Sequence, residues 1–205
     1  SDQVKKVLHD TVTVVKENQM QGVDKIQEES AKVTKLTDKI TDYLAGLFSS
    51  GLLTEQQASQ TAGLMYVLGD VERIGNLSAG IALSMKEKET NQYKYSQEAM
   101  DELAKCLKTL EKMFDSATKA LRGDTTVELE KLMKRKDKIV NLDIMMRKSH
   151  IQRVNKGKCK ASLTTPFTNI LHLIDRMGNS CINLADAATN EVALKYFLPK
   201  DEMTM

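Results

Sequence analysis

The chain has 205 residues, enough for one or two domains with a sizeable core. Trp is absent, Pro occurs twice and aromatics make up 4% of residues, while Lys, Glu, Leu, Ala and Met abound, a profile that favours helices over sheets. Thirty basic side chains against 28 acidic ones leave a net charge of +2, which excludes a dedicated nucleic-acid binder with a basic excess over a whole face.

In chain order, Val4, Val7, Leu8, Thr11, Val14 and Val15 recur at steps of three and four, so the stretch from Asp2 to Met20 is predicted as an amphipathic helix closed by Gly22. A second helix, Asp24 to Phe48, carries Ile26, Val33, Ile40 and Leu47 at heptad spacing, with Leu36 and Tyr43 as the second row of its buried seam. Ser49-Ser50-Gly51 breaks it, and Thr54 caps a third helix running to Lys86. The polar stretch from Glu87 to Ser96 is the link between halves, dividing the chain into residues 1–90 and 91–205. Ser96 opens a fourth helix with an apolar stripe from Ala99 to Leu121, ended by Gly123; Asp124 or Thr125 caps a fifth, which continues through Leu132, Ile139, Leu142 and Met146 to Asn155 and stops at Gly157. A sixth, from Ser162 to Asn190, has Pro166 in its first turn, where a missing amide hydrogen costs nothing. Short connections force antiparallel neighbours, so the expected fold is all-α, two tandem pseudo-symmetric three-helix bundles.

The third and sixth helices contain one unit written twice, 103 residues apart: Glu72-Arg73-Ile74-Gly75-Asn76 and Asp175-Arg176-Met177-Gly178-Asn179, each followed by a small, apolar stretch. A glycine inside a helix costs roughly 1 kcal/mol relative to Ala, so its repetition suggests a repeated need, for which close helix approach is the expected cause. The repeat offset places the counterpart of Ser96 ahead of Ser1, so the first helix reads as cut at its start and the chain as the C-terminal portion of a longer protein.

Three cysteines, Cys106, Cys159 and Cys181, form no C-x-x-C pair and point to a reducing compartment. No stretch approaches the roughly 20 apolar residues of a membrane span, and no secretory signal opens the chain. A soluble, cytoplasmic piece is expected. No phosphate-binding Gly-rich loop, no H-E-x-x-H and no nucleophile paired with a base in a readable motif occur, so no enzyme is expected and no catalytic residue is assigned.

Two three-helix bundles, each with an acid-Arg-apolar-Gly-Asn run in its third helix, resemble PhoU, the phosphate-uptake regulator. The segment from Ser149-His150-Ile151 to Gly157-Lys158-Cys159 is similar to the PhoU-like domains at the cytoplasmic C-terminus of bacterial sodium-dependent phosphate transporters. That resemblance implies a non-catalytic regulatory domain at the inner face of the cell membrane, modulating phosphate uptake by a membrane-embedded transporter domain in the same full-length chain. The other readings are a free-standing PhoU regulator contacting an ABC transporter and its sensor kinase, and a metal-binding protein. A homodimer is left open.

The family resemblance also implies iron or zinc clusters held by acid-x-x-x-Asp motifs, since carboxylates at i and i+4 share a helix face and can clasp a cation. Here Glu72 and Asp175 retain the first acid, but Asn76 and Asn179 replace the second. The positions on the second and fifth helices where the family often places an acid are Thr34 and Val140. No cofactor and no stable metal cluster are therefore expected, Glu72 and Asp175 being the remaining weak candidates. Glu72, Arg73, Asn76, Asp175, Arg176 and Asn179 become candidates for a surface read by a partner or ion, with neighbouring-helix ion pairs as the plainer reading. Arg147, Lys148, Arg153, Lys156, Lys158 and Lys160 form an acid-free basic run, either helix-end electrostatics or a patch docking on anionic lipid or an acidic transporter loop.

Overall fold

The structure, a computed structural model, describes residues 1–18, 20–90, 95–124 and 127–189, with the backbone alone at 88–90 and 189. Six helices carry the fold, with no strand among the described residues: α1 (Asp2–Glu17), α2 (Val23–Ser49), α3 (Glu55–Thr90), α4 (Gln97–Leu121), α5 (Leu129–Asn155) and α6 (Thr164–Thr189). Within each set of three every helix packs on the other two, as the short connections require. Two further contacts join the sets: α1 lies on α4 and α3 lies on α6. Four helices thus form a central layer, while α2 and α5 cover its outer flanks.

The main core spans both sets, beside a smaller cluster of Val7, Val14, Val23, Ile26, Ala79 and Ala82 within the first. Val4, Leu8, Ile74 and Ile81 of the first set join Leu103, Phe114, Phe167 and Ile174 of the second in a single apolar cluster. Each large side chain so buried contributes about 1.5–3 kcal/mol relative to exposure. α2 and α5 follow the same burial phase: Ile26, Val33 and Leu44 are buried, and so are Leu132, Ile139 and His150, each 106 residues on.

Several helix ends differ from expectation. α1 stops at Glu17 because Asn18 adopts the left-handed conformation (φ 54°), which Asn tolerates better than most residues; Gly22 belongs to a short 3-10 turn, Met20–Gly22, that leads into α2. Thr54 does cap α3: its Oγ1 accepts from the Gln57 amide (3.3 Å), and its own amide donates to Gln57 Oε1 (2.9 Å). That helix continues to Thr90 instead of ending at Lys86. Ser96 Oγ caps α4 by accepting from the Ala99 amide. α5 starts only at Leu129, after Glu128, so Asp124 does not cap it, and Thr125 lies outside the described residues.

The second row assigned to α2 is overturned. Leu36 is 53% and Tyr43 66% exposed, whereas Ser30, Thr37 and Leu44 are buried. α2 sits in one groove between α1 and α3, which admits a narrow seam, and Leu36 and Tyr43 fall outside it, each one residue before a buried position, Thr37 and Leu44. The link between halves is partly outside the described residues, but Tyr95 is core: its ring meets Phe167 of α6 at 5.7 Å.

Candidate functional site

The signature runs occupy equivalent positions in α3 and α6. In both, the acid is half-buried, Arg and Asn are exposed, and the apolar residue and Gly are buried. A helix that presents one face to the core and the other to solvent must distribute five consecutive residues in this way.

Around Glu72 the partners come from α2. Thr34 Oγ1 donates to Glu72 Oε1 (2.9 Å), Ser30 Oγ donates to Asn76 Oδ1 (2.8 Å), and Asn76 Nδ2 donates to Glu72 Oε1 (3.3 Å). Around Asp175 the partner is a cation from α5. Lys136 Nζ donates to Asp175 Oδ1 (2.5 Å) and to the Asp175 carbonyl (3.1 Å), while Asn179 Nδ2 donates to Asp175 Oδ2 (3.3 Å). Ser30 and Lys136 are 106 residues apart, the spacing at which α2 and α5 share their burial phase.

These donor sets do not suit a multinuclear metal cluster. In each run the Asn amide turns its N–H towards the acid and satisfies it, and at Asp175 an ammonium already stands beside the carboxylate. A metal would have to displace that charge with fewer anionic oxygens than hard cations require. Among the described residues no group of three or more His, Cys, Asp or Glu is placed to hold a metal ion.

The two glycines do different things. A methyl at Gly75 would meet Val4 Cγ2 at 3.6 Å and Val33 Cγ1 at 3.7 Å, ordinary contacts, so close helix approach is not what this position requires. At Gly178 a methyl would lie 3.1 Å from Lys136 Cδ and 3.2 Å from its Nζ. The close approach there is by a side chain: Gly178 is the gap through which Lys136 reaches Asp175.

Arg73 makes its ion pair within α3, to Asp70 Oδ1 at 3.3 Å, instead of to a neighbouring helix. Asp70 itself, not anticipated as a site residue, is only 2% exposed and accepts from Ser180 Oγ (2.7 Å) and Asn183 Nδ2 (3.1 Å) of α6. A buried carboxylate thus joins the two sets of helices. Its phase was a usable signal, because Asp70 falls in line with Val67, Ile74, Leu77 and Ile81 on the apolar stripe of α3. Its counterpart 103 residues on is Leu173, which packs over the Gly80 position of α3. Arg176 therefore lacks the acid that Arg73 finds one turn back.

The basic run divides. Arg153 is 6% exposed: its Nη1 donates to Ser149 Oγ (2.6 Å) and lies 3.5 Å from both Glu98 and Glu102 of α4. It follows Met146 and His150 at helical steps and so lies on the inward face of α5, which removes it from any docking patch. Arg147 is held by Asp143 at 2.8 Å. Lys148, Lys156, Lys158 and Lys160 remain exposed. His150 is buried, stacked on Phe167 at 4.9 Å, with Nε2 3.0 Å from Thr164 Oγ1 and Nδ1 3.8 Å from Cys159 Sγ. Burial, and secondarily the Arg153 charge, lowers its pKa. Burial pushes the Cys106 thiol up to about 12 and the Cys181 thiol higher still, so neither is a nucleophile at neutral pH.

A family model described as the PhoU domain matches residues 1–85 and again residues 103–188, one signature run in each. The chain belongs to the PhoU domain family. Among solved structures, the crystal structure of PhoU from Pseudomonas aeruginosa is similar, with a TM-score of 0.78 at 13% identity, covering 91% of this chain and 88% of that one. At that identity the likeness establishes the fold alone. No curated protein sequence matches. No helix among the described residues is long and apolar enough to cross a membrane.

Proposed function

We propose that this chain is a non-catalytic regulator of phosphate uptake that acts by docking against membrane transport machinery, as a free-standing PhoU regulator contacting an ABC-type phosphate transporter and its sensor kinase. The observation that carries this reading is the likeness to a PhoU protein over nearly the whole of both chains, together with two matched PhoU copies. The appended domain of a sodium-dependent phosphate transporter rests only on the resemblance of the segment from Ser149 to Cys159, and nothing in the fold adds to it.

The docking surface proposed is the C-terminal end of α5. There Lys148, Lys156, Lys158 and Lys160 are exposed, and Ile144, Met145 and Ile151 are exposed beside them. Exposed apolar side chains among cations suit an anionic membrane surface bordering a transporter. Replacing Lys156, Lys158 and Lys160 by Gln should weaken sedimentation with phosphate-transporter membranes by up to about 100-fold, from about 1 kcal/mol per lysine near a charged membrane. Association that ignores both this triple substitution and added salt would refute the docking surface.

A further inference from the structure

We infer that a lysine-lined cleft between α1, α4 and α5 binds a condensed-phosphate anion, a short inorganic polyphosphate chain. The cleft encloses about 340 Å³ and is walled by Lys16 of α1, Lys105, Lys108 and Lys112 of α4, and Lys138 of α5. It lies away from the signature runs and from the α5 terminus, and it is independent of the regulatory reading, because direct binding tests it.

Lys105, Lys108 and Lys112 recur at steps of three and four along α4, so their ammonium groups share one face and repel. Lys16 and Lys138 flank that face from the neighbouring helices. Among the described residues none of these five lysines is ion-paired. The sole acid of the lining, Asp101, accepts from Gln97 Nε2 at 3.0 Å. In the adjoining cleft along the same helix two of the cations are answered by an acid of the lining: Asp115 pairs with Lys5 at 2.6 Å and with Lys119 at 3.0 Å. Five lysines without an ion pair thus line one concave place, against a single acid, in a chain whose net charge is only +2.

The ligand class follows from the shape and the lining. From Lys105 to Lys112 the row runs about 10 Å along the helix axis at 1.5 Å per residue, too long for a single phosphate to touch both ends. A chain of phosphoryl groups carries charge along its whole length and matches such a row of point cations. The lining holds no aromatic and no large apolar side chain, Ala104 being its apolar member. A nucleobase would find nothing to stack on, and an apolar peptide side chain nothing to fill.

Titration calorimetry of the whole chain with inorganic tripolyphosphate at low salt tests the site. Binding is expected, with a rise in melting temperature, and Lys105→Gln/Lys108→Gln/Lys112→Gln should weaken it at least about tenfold for three lost charge-assisted contacts. Lys156→Gln/Lys158→Gln/Lys160→Gln removes the same charge elsewhere and should leave it intact. Melting curves without ligand verify that both variants are folded. No binding by the native chain, equal loss in both triple variants, orthophosphate binding as tight as tripolyphosphate, or binding only to anionic lipid vesicles would each overturn the inference.

Discussion

Replacing each signature glycine by alanine should give different results at two positions that the sequence makes equivalent. In a helix interior Ala is favoured over Gly by about 1 kcal/mol. At Gly75 the new methyl meets Val4 and Val33 at 3.6 and 3.7 Å, ordinary contact, so the gain is kept. At Gly178 the methyl would stand 3.1 Å from Lys136 Cδ, and the lysine must swing off Asp175. The Lys136 side chain is only 13% exposed, so the ion pair lost is worth at least the upper end of the 0 to ~1 kcal/mol typical of surface pairs. Gly75→Ala should therefore raise the melting temperature by about 2–4 °C, at roughly 1 kcal/mol for a chain of this size, while Gly178→Ala leaves it near its starting value. The two single variants, and Gly178→Ala in a Lys136→Ala background, can be compared by calorimetry or circular dichroism. In that background the alanine should regain its stabilisation, a coupling that a double-mutant cycle reads directly. Equal stabilisation by both single variants would refute the role given to Gly178, and destabilisation by Gly75→Ala would refute the spacing of α1 and α2 around it.

Three further outcomes are expected. Because the Asn amides and Lys136 satisfy both signature acids, chelator-treated and untreated protein should melt together; a loss of stability reversed by iron or zinc would contradict this. Asp70→Ala leaves Ser180 and Asn183 without their buried acceptor and should cost about 1–3 kcal/mol, read as a lower denaturation midpoint with unchanged slope. His150 is more basic in the unfolded chain, near 6.5, than in the fold, so its contribution to stability is fully present above that value and is lost as pH falls below it. Glu102, whose pKa is raised chiefly by burial, acts in the opposite sense at lower pH, so the informative quantity is the difference in pH slope between the native chain and His150→Phe. Identical slopes from pH 7.5 to 5.5 would dismiss the histidine.

Much of the architecture was legible from periodicity, because a helix with one apolar face fixes which residues enter the core. The repeat located the third helix of each set, and Thr54 and Ser96 marked two helix starts through side-chain caps. α2 misled because Leu36 and Tyr43 continue an apolar stripe that the groove between α1 and α3 does not cover, and packing against neighbours, not hydrophobicity, decides burial. Arg153 misled in the other direction, since charge suggested solvent while its phase with Met146 and His150 pointed inward. The Lys136 clasp on Asp175 was not legible: the two residues are 39 apart, and the contact depends on how deeply α5 settles against α6. Nor could the motif disclose that the same Asn would accept from Ser30 in one run and accompany a lysine in the other.

Phosphate uptake in the source organism is the most direct measure of the regulatory claim. Deleting the gene should leave phosphate-starvation reporters active, or uptake unrestrained, in phosphate-replete medium. Reintroducing the native chain should restore repression. Wild-type reporter activity and uptake in the deletion strain, under both replete and starved conditions, would contradict the account.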